Sequence, residues 1–221
     1  MNSVIKIYIE RWDFFKDLLI QHIALTMTAV SIITVIGIMT GILITRNRFI
    51  AGVVLAVINF LYTIPSIALF GFLVAITGIG NKSAIIALTI YGVLPIIRNT
   101  YVGIMEVDGQ TMESAIGMGS TRRQILFKIQ LPLALPIIIT GFRTMVIMTI
   151  ALGGIASFIG AGGLGVAIWR GITTNFPQMT IAGSLLVALL AIITDLILGF
   201  IEKMMRKRIL GSEGIGGHIH V

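Results

Sequence analysis

The sequence predicts an all-α polytopic membrane protein with five transmembrane helices, and three observations predict it. The chain of 221 residues is 57% apolar and only 11% charged, with a mean hydropathy of +1.04, far from the mix of a water-soluble domain. Its apolar residues fall into repeated stretches of about 20, the length that carries a helix across roughly 30 Å of hydrocarbon at 1.5 Å per residue. Lysine and arginine gather in short clusters at the ends of those stretches. They form no long basic face with interleaved aromatics, which argues against nucleic acid and for the lipid bilayer as partner.

The elements follow in order. Residues 1–21 spread Lys6, Glu10, Arg11, Asp13, Lys16 and Asp17 through their length and lack the compact basic region, apolar core and cleavage site of a secretory signal. A retained amino-terminal lead-in is expected, either interfacial with Trp12 at headgroup depth or plainly extended. The first span is 22–44, ending before Arg46-Asn47-Arg48, and the second is 50–76, closed by Gly78 and Gly80-Asn81-Lys82. The third, 83–104, contains Pro95, and the second contains Pro65; each proline lacks an amide proton and should kink or break its helix.

A polar segment, 111–131, separates the third span from the fourth, 133–152. The fifth span is 178–200, before Lys203, Arg206, Lys207 and Arg208, so that 22–208 form one domain and 209–221 a flexible tail. Residues 153–177 are too glycine-rich for a straight span, and backbone of that kind at membrane depth must be covered by protein or line a wet cavity. They are expected as an outer loop or a partly re-entrant helix. Gly37 and Gly41 have the small-xxx-small spacing of helix packing.

Five spans place the termini on opposite sides. With the carboxyl terminus inside, ten basic residues lie on the inner segments, from Arg46 to Arg208, against five outside: Lys6, Arg11, Lys16, Lys82 and Arg170. The positive-inside tendency therefore favours an outer amino terminus. The absence of cysteine removes thiolate and disulfide chemistry and is compatible with either side.

The polar segment reads Met112-Glu113-Ser114-Ala115-Ile116-Gly117-Met118-Gly119-Ser120-Thr121-Arg122-Arg123, with Ile129-Gln130-Leu131-Pro132 after it. Thr111 can cap a short helix opening at Met112, small Ser114 and Ala115 permit close approach of another protein, and Gly119 permits a tight turn. Pro132 can start the next helix in its first turn. Arg122 and Arg123 are available to acidic groups of a partner.

Glu113, Ala115, Gly119 and Ile129-x-Leu131-Pro132 resemble the cytoplasmic Glu-Ala-Ala signature of importer permeases in the ATP-binding cassette superfamily, with Ser114 at a position usually held by alanine. Tyr62 to Phe70, Leu94 to Thr100 and Ile159 to Gly165 resemble, more narrowly, permeases for glycine betaine, carnitine and choline. The resemblance implies a five-helix importer permease core in a bacterial plasma membrane, whose segment 111–131 is a coupling helix seated on an ATPase subunit. It implies a second permease subunit, identical or paralogous, two ATPase subunits and an extracytoplasmic substrate-binding protein. Methionine or another small solute is the alternative cargo.

No Gly-x-x-x-x-Gly-Lys-[Ser/Thr] phosphate loop is present, so this chain is expected to be no enzyme and to hold no cofactor, with ATP and magnesium in the partner ATPase. The three histidines, His22, His218 and His220, converge on no enzymatic site, and no metal site is expected. Phe60, Tyr62 and Phe70 near the kink at Pro65 either line a path for a quaternary ammonium through cation–π attraction or pack between helices or at the interface. Arg143 and Asp195 fall at membrane depth, where a charge is costly unless paired, wet or snorkelling. They either pair structurally, serve the pathway or gate, or lie nearer the interface than the span boundaries suggest.

Overall fold

A computed structural model describes residues 2–210; the expected tail, with His218 and His220, lies outside the described residues except at its first two positions. The elements are α1 (Asn2–Glu10), α2 (Trp12–Ile44), α3 (Arg48–Thr63), α4 (Ser66–Thr77), α5 (Asn81–Met105), α6 (Gly109–Gly117) and α7 (Arg122–Ile125). A π-helical turn (Leu126–Gln130) leads into α8 (Leu131–Ala156), and a 3₁₀ turn (Ser157–Ile159), α9 (Gly165–Thr173) and α10 (Pro177–Leu210) complete the described residues. Among the described residues, four helices are long and apolar enough to cross a membrane, and α3 with α4 makes a fifth span only as a pair bent by 96°.

The core is built on α2, α5 and α8. α2 runs alongside α5 in the same direction, so Ile33 meets Gly92, Gly37 meets Ile96 and Gly41 meets Thr100. A Cβ at Gly37 would overlap the Ile96 side chain, and the small-residue spacing thus serves a seam within the chain. α8 returns antiparallel to α5, with Ala134 and Ile137 on Gly103 and Gly141 on Asn99. Ile33, Leu88, Ile96, Ile104 and Met145 are buried completely in this layer.

The predicted single second span is broken rather than kinked. Ile64 and Pro65 both take extended backbone, with ψ of 128° and 132°, because the ring of Pro65 disfavours helical geometry in the residue before it. The Ile64 carbonyl accepts from the Tyr91 hydroxyl of α5. Pro95, by contrast, neither breaks nor ends α5, which is continuous from Asn81 to Met105.

The lead-in is helical, and the first long helix begins at Trp12 rather than at residue 22. Ile7, Phe15 and Leu18 form a second core with Leu164 and Ala167 near α9 and Met179 and Ala182 of α10. Tyr8 donates to the Ala182 carbonyl at 2.7 Å, and burial pushes its phenol above the ordinary range. Residues 153–177 supply the end of α8, the 3₁₀ turn and α9, whose nine residues are too short to cross alone.

Candidate functional site

The polar segment folds as a knob between two long helices. Asp108, not Thr111, caps α6: its carboxylate accepts from the Thr111 amide at 3.0 Å, and the helix opens at Gly109. At the other end Gly119, at φ +79°, donates its amide to the Ile116 carbonyl at 2.9 Å, and Ser120 donates to the Ala115 carbonyl at 3.1 Å. This is the paired C-terminal closure that a left-handed glycine makes possible. Thr121 then starts α7 with a reciprocal capping box to Gln124, which satisfies the donors that a helix start leaves open.

Ala115 is buried beneath the turn, whereas Glu113, Ser114, Arg122 and Arg123 are exposed and make no ion pair among the described residues. Ile116 and Met118 project apolar surface, 61% and 79% exposed. A hollow of about 270 Å³ lies among Met118, Gly119, Ser120, Gln124, Lys128 and Ile129. Ile129 is half-buried, and Leu131 packs against the main core. Pro132 stands in the first turn of α8, as expected, within a helical run that continues from Arg122 to Ile159. Its missing amide and its ring sit just after the π turn, where a widened helix accommodates them.

The two charges predicted at membrane depth meet. The Arg143 guanidinium donates through Nε to Asp195 Oδ1 at 2.6 Å and through Nη2 to Oδ2 at 2.8 Å, the two-pronged geometry that arginine offers a carboxylate. Its Nη1 donates to Glu202 Oε2 at 3.0 Å, and Thr140 donates to Glu202 Oε1 at 2.6 Å.

A family model described as "Binding-protein-dependent transport system inner membrane component" matches residues 18–207. The chain belongs to this family. The transport component is 40% identical over 186 residues to the glycine betaine/carnitine/choline transport system permease protein OpuCD of Bacillus subtilis (strain 168), covering 84% of this chain and 81% of that one. It is 36% identical over 197 residues to the carnitine transport permease protein OpuCB of Listeria monocytogenes, covering 89% and 90%. An inward-facing structure of the MetNI methionine ABC transporter matches with a TM-score of 0.74 at 26% identity, covering 84% of this chain and 93% of that one. The match bears out the multi-pass permease fold, and membership implies work beside an ATP-binding subunit and a substrate-binding protein.

The remaining predicted residues of the transport component do not form one cluster. Phe60 is exposed, Tyr62 stands edge-on to Tyr91 at 5.8 Å and donates to Met148 Sδ at 3.3 Å, and Pro65 marks the break. Phe70 instead turns inward and is buried in the main core, packed between helices. Sequence reading missed Thr140, Glu202 and His22. The signal for Glu202 was its position seven residues after Asp195, hence on the same face of an otherwise apolar helix.

His22 is fully buried, with Nε2 3.1 Å from the Ile150 carbonyl and Nδ1 without a partner among the described residues. Gly153 and Gly163 close over its ring. Beside it, Gln21, Thr28 and Asn81 with the Gly160–Gly162 backbone line a cavity of about 400 Å³ that holds neutral polar groups and no ionised side chain.

Proposed function

We propose that this chain is the permease subunit of an ATP-driven importer for glycine betaine, carnitine, choline or related quaternary amines. The observation that carries the reading is the exposed, doubly capped helix Gly109–Gly117, which leads through α7 into one continuous helix across the membrane. Glu113, Ser114, Ala115, Gly119, Arg122 and Arg123 shape a coupling helix for the ATPase, and Ile129, Leu131 and Pro132 set its return to the membrane. Exposed Ile116 and Met118 supply the apolar part of the contact. Two such permease subunits, identical or paralogous, work with two ATPase subunits that hold ATP and magnesium, and this chain holds no cofactor. ATPase closure draws the coupling helices together and turns the cavity outward; hydrolysis resets it inward.

The cargo assignment rests on the relatives at 40% and 36% identity, whose named solutes share a trimethylammonium centre. Methionine is the second reading, supported by the fold neighbour at 26% identity. A neutral polar cavity at Gln21, Thr28 and Asn81 suits a zwitterion such as glycine betaine or carnitine. The chain lies in a bacterial plasma membrane with its amino terminus outside. Because it has no cysteine, single cysteines at exposed Ile79 and Met118 can be labelled from one side at a time; labelling of both from the same side would refute that topology. ATP-dependent uptake of labelled glycine betaine, choline and carnitine into vesicles, with methionine as comparator, tests the cargo. Uptake of methionine alone would overturn the quaternary-amine assignment.

A further inference from the structure

The far half of α10 is held differently from its start. Met179, Ala182 and Gly183, in the first two turns, are buried, and from Ser184 to Ile209 no residue of the helix is. Leu190, Ala191 and Leu198 touch the main core along one edge only. Over this stretch the specific fastening is ionic. Arg143 of α8 reaches between Asp195 and Glu202, and Gly199, midway between them, is its seat: a Cβ there would lie 3.0–3.1 Å from three guanidinium atoms.

α8 is also the helix that continues without interruption from Arg122 at the knob. Any displacement of the knob along that helix reaches Arg143, and through it α10. An aliphatic seam would permit sliding between two apolar helices, whereas a two-pronged arginine–carboxylate pair has one register. Charges at this depth are costly unless paired, so fixed register is what the pairing supplies over a greasy contact. From these observations we propose that Arg143, with Asp195 and Glu202, is a positioning group that makes the far half of α10 follow the coupling segment during transport. The proposal rests on the importer reading above.

The test uses the intact importer in proteoliposomes, with its ATPase and binding protein, and reads labelled glycine betaine moved per ATP hydrolysed. Arg143→Ala is expected to keep ATP hydrolysis per assembled complex within about two-fold while solute moved per ATP falls roughly ten-fold, the size of a lost coupling contact. The exchange pair Arg143→Asp with Asp195→Arg restores a large part of that ratio, which a merely structural defect would not do. Glu202→Gln keeps the Asp195 pair and gives a smaller loss, so the question stays answerable where Arg143→Ala does not assemble.

Hydrolysis and uptake falling together, at an unchanged ratio, would overturn the proposal, as would an exchange pair no better than the single variants. An unaltered complex without ATP-driven uptake of any tested solute would remove the importer reading itself, and the proposal with it.

Discussion

Gly119 carries the sharpest expectation, because strain and steric clash separate cleanly there. Its φ of +79° lies in the left-handed region, and a Cβ added at this position meets nothing within 4 Å. Alanine therefore suffers from the backbone alone, at about 1–2 kcal/mol, a factor of about 5–30 in the population of the closed turn. The two closing bonds, Gly119 to Ile116 and Ser120 to Ala115, weaken together, and the knob loses the shape it presents to an ATPase. A series of Gly119→Ala, Gly119→Val and Gly119→Asn, read as uptake normalised to the amount of protein in the membrane, tests this. Valine should be most damaging, alanine next, and asparagine, which tolerates the left-handed region, mildest. Equal loss in asparagine and alanine would refute the strain argument, and full activity in valine would refute the role of the turn.

Three further outcomes follow from the same geometry. Thr121→Ala removes the oxygen that accepts the Gln124 amide at 3.3 Å, costs about 1 kcal/mol, and should speed amide exchange at the start of α7 without changing the amount of membrane-inserted protein. Gly37→Leu drives a side chain into Ile96 and should cost upwards of about 1–3 kcal/mol, seen as lost yield of folded protein; Gly71→Leu, where a Cβ meets nothing within 4 Å, is the harmless control. Tyr91→Phe strips the Ile64 carbonyl of its partner at about 0.6–1.7 kcal/mol. Hydrogen exchange in residues 63–67 should rise more than elsewhere in that variant.

Much of the fold was legible because lipid leaves few choices: an apolar stretch of the right length must satisfy its backbone internally, and a helix does so. The knob was legible for a local reason, since Gly119 marks a helix end; the helix start at Thr121 emerged only with its capping box to Gln124. Its cap was misplaced because Asp108 and Thr111 both suit the position, and only the chain's exit from α5 decides between them. The partner of Arg143 was half legible. Depth announces that a charge needs pairing, but the pairing crosses between helices fifty-odd residues apart, and nothing local in α8 points to Glu202. For Phe70 a path-lining and a packing position both stayed open, because an aromatic near a break looks the same in sequence whether it faces inward or outward; the structure packs it into the core.

The prolines show where sequence stops and packing begins. Pro65 and Pro95 each remove a donor and crowd the preceding turn, yet the chain breaks at one and runs straight through the other. At Pro65 the chain leaves helical geometry, and the freed Ile64 carbonyl is caught by Tyr91 from a neighbouring helix. At Pro95 the helix continues, with Asn99 donating to the Pro95 carbonyl at 2.8 Å and packing on Gly141. Pro136 behaves like Pro95, with Thr140 donating to its carbonyl at 3.1 Å. That same Thr140 donates to Glu202, so one hydroxyl both supports the proline turn of α8 and joins the ionic fastening of α10. A proline in a membrane helix thus specifies only which backbone groups lose partners. Tyr91 reaches the Ile64 carbonyl from a neighbouring helix, whereas Asn99 and Thr140 bond the proline carbonyls from one turn on in the same helix, and α8 runs on through Pro136 from the knob side to Arg143.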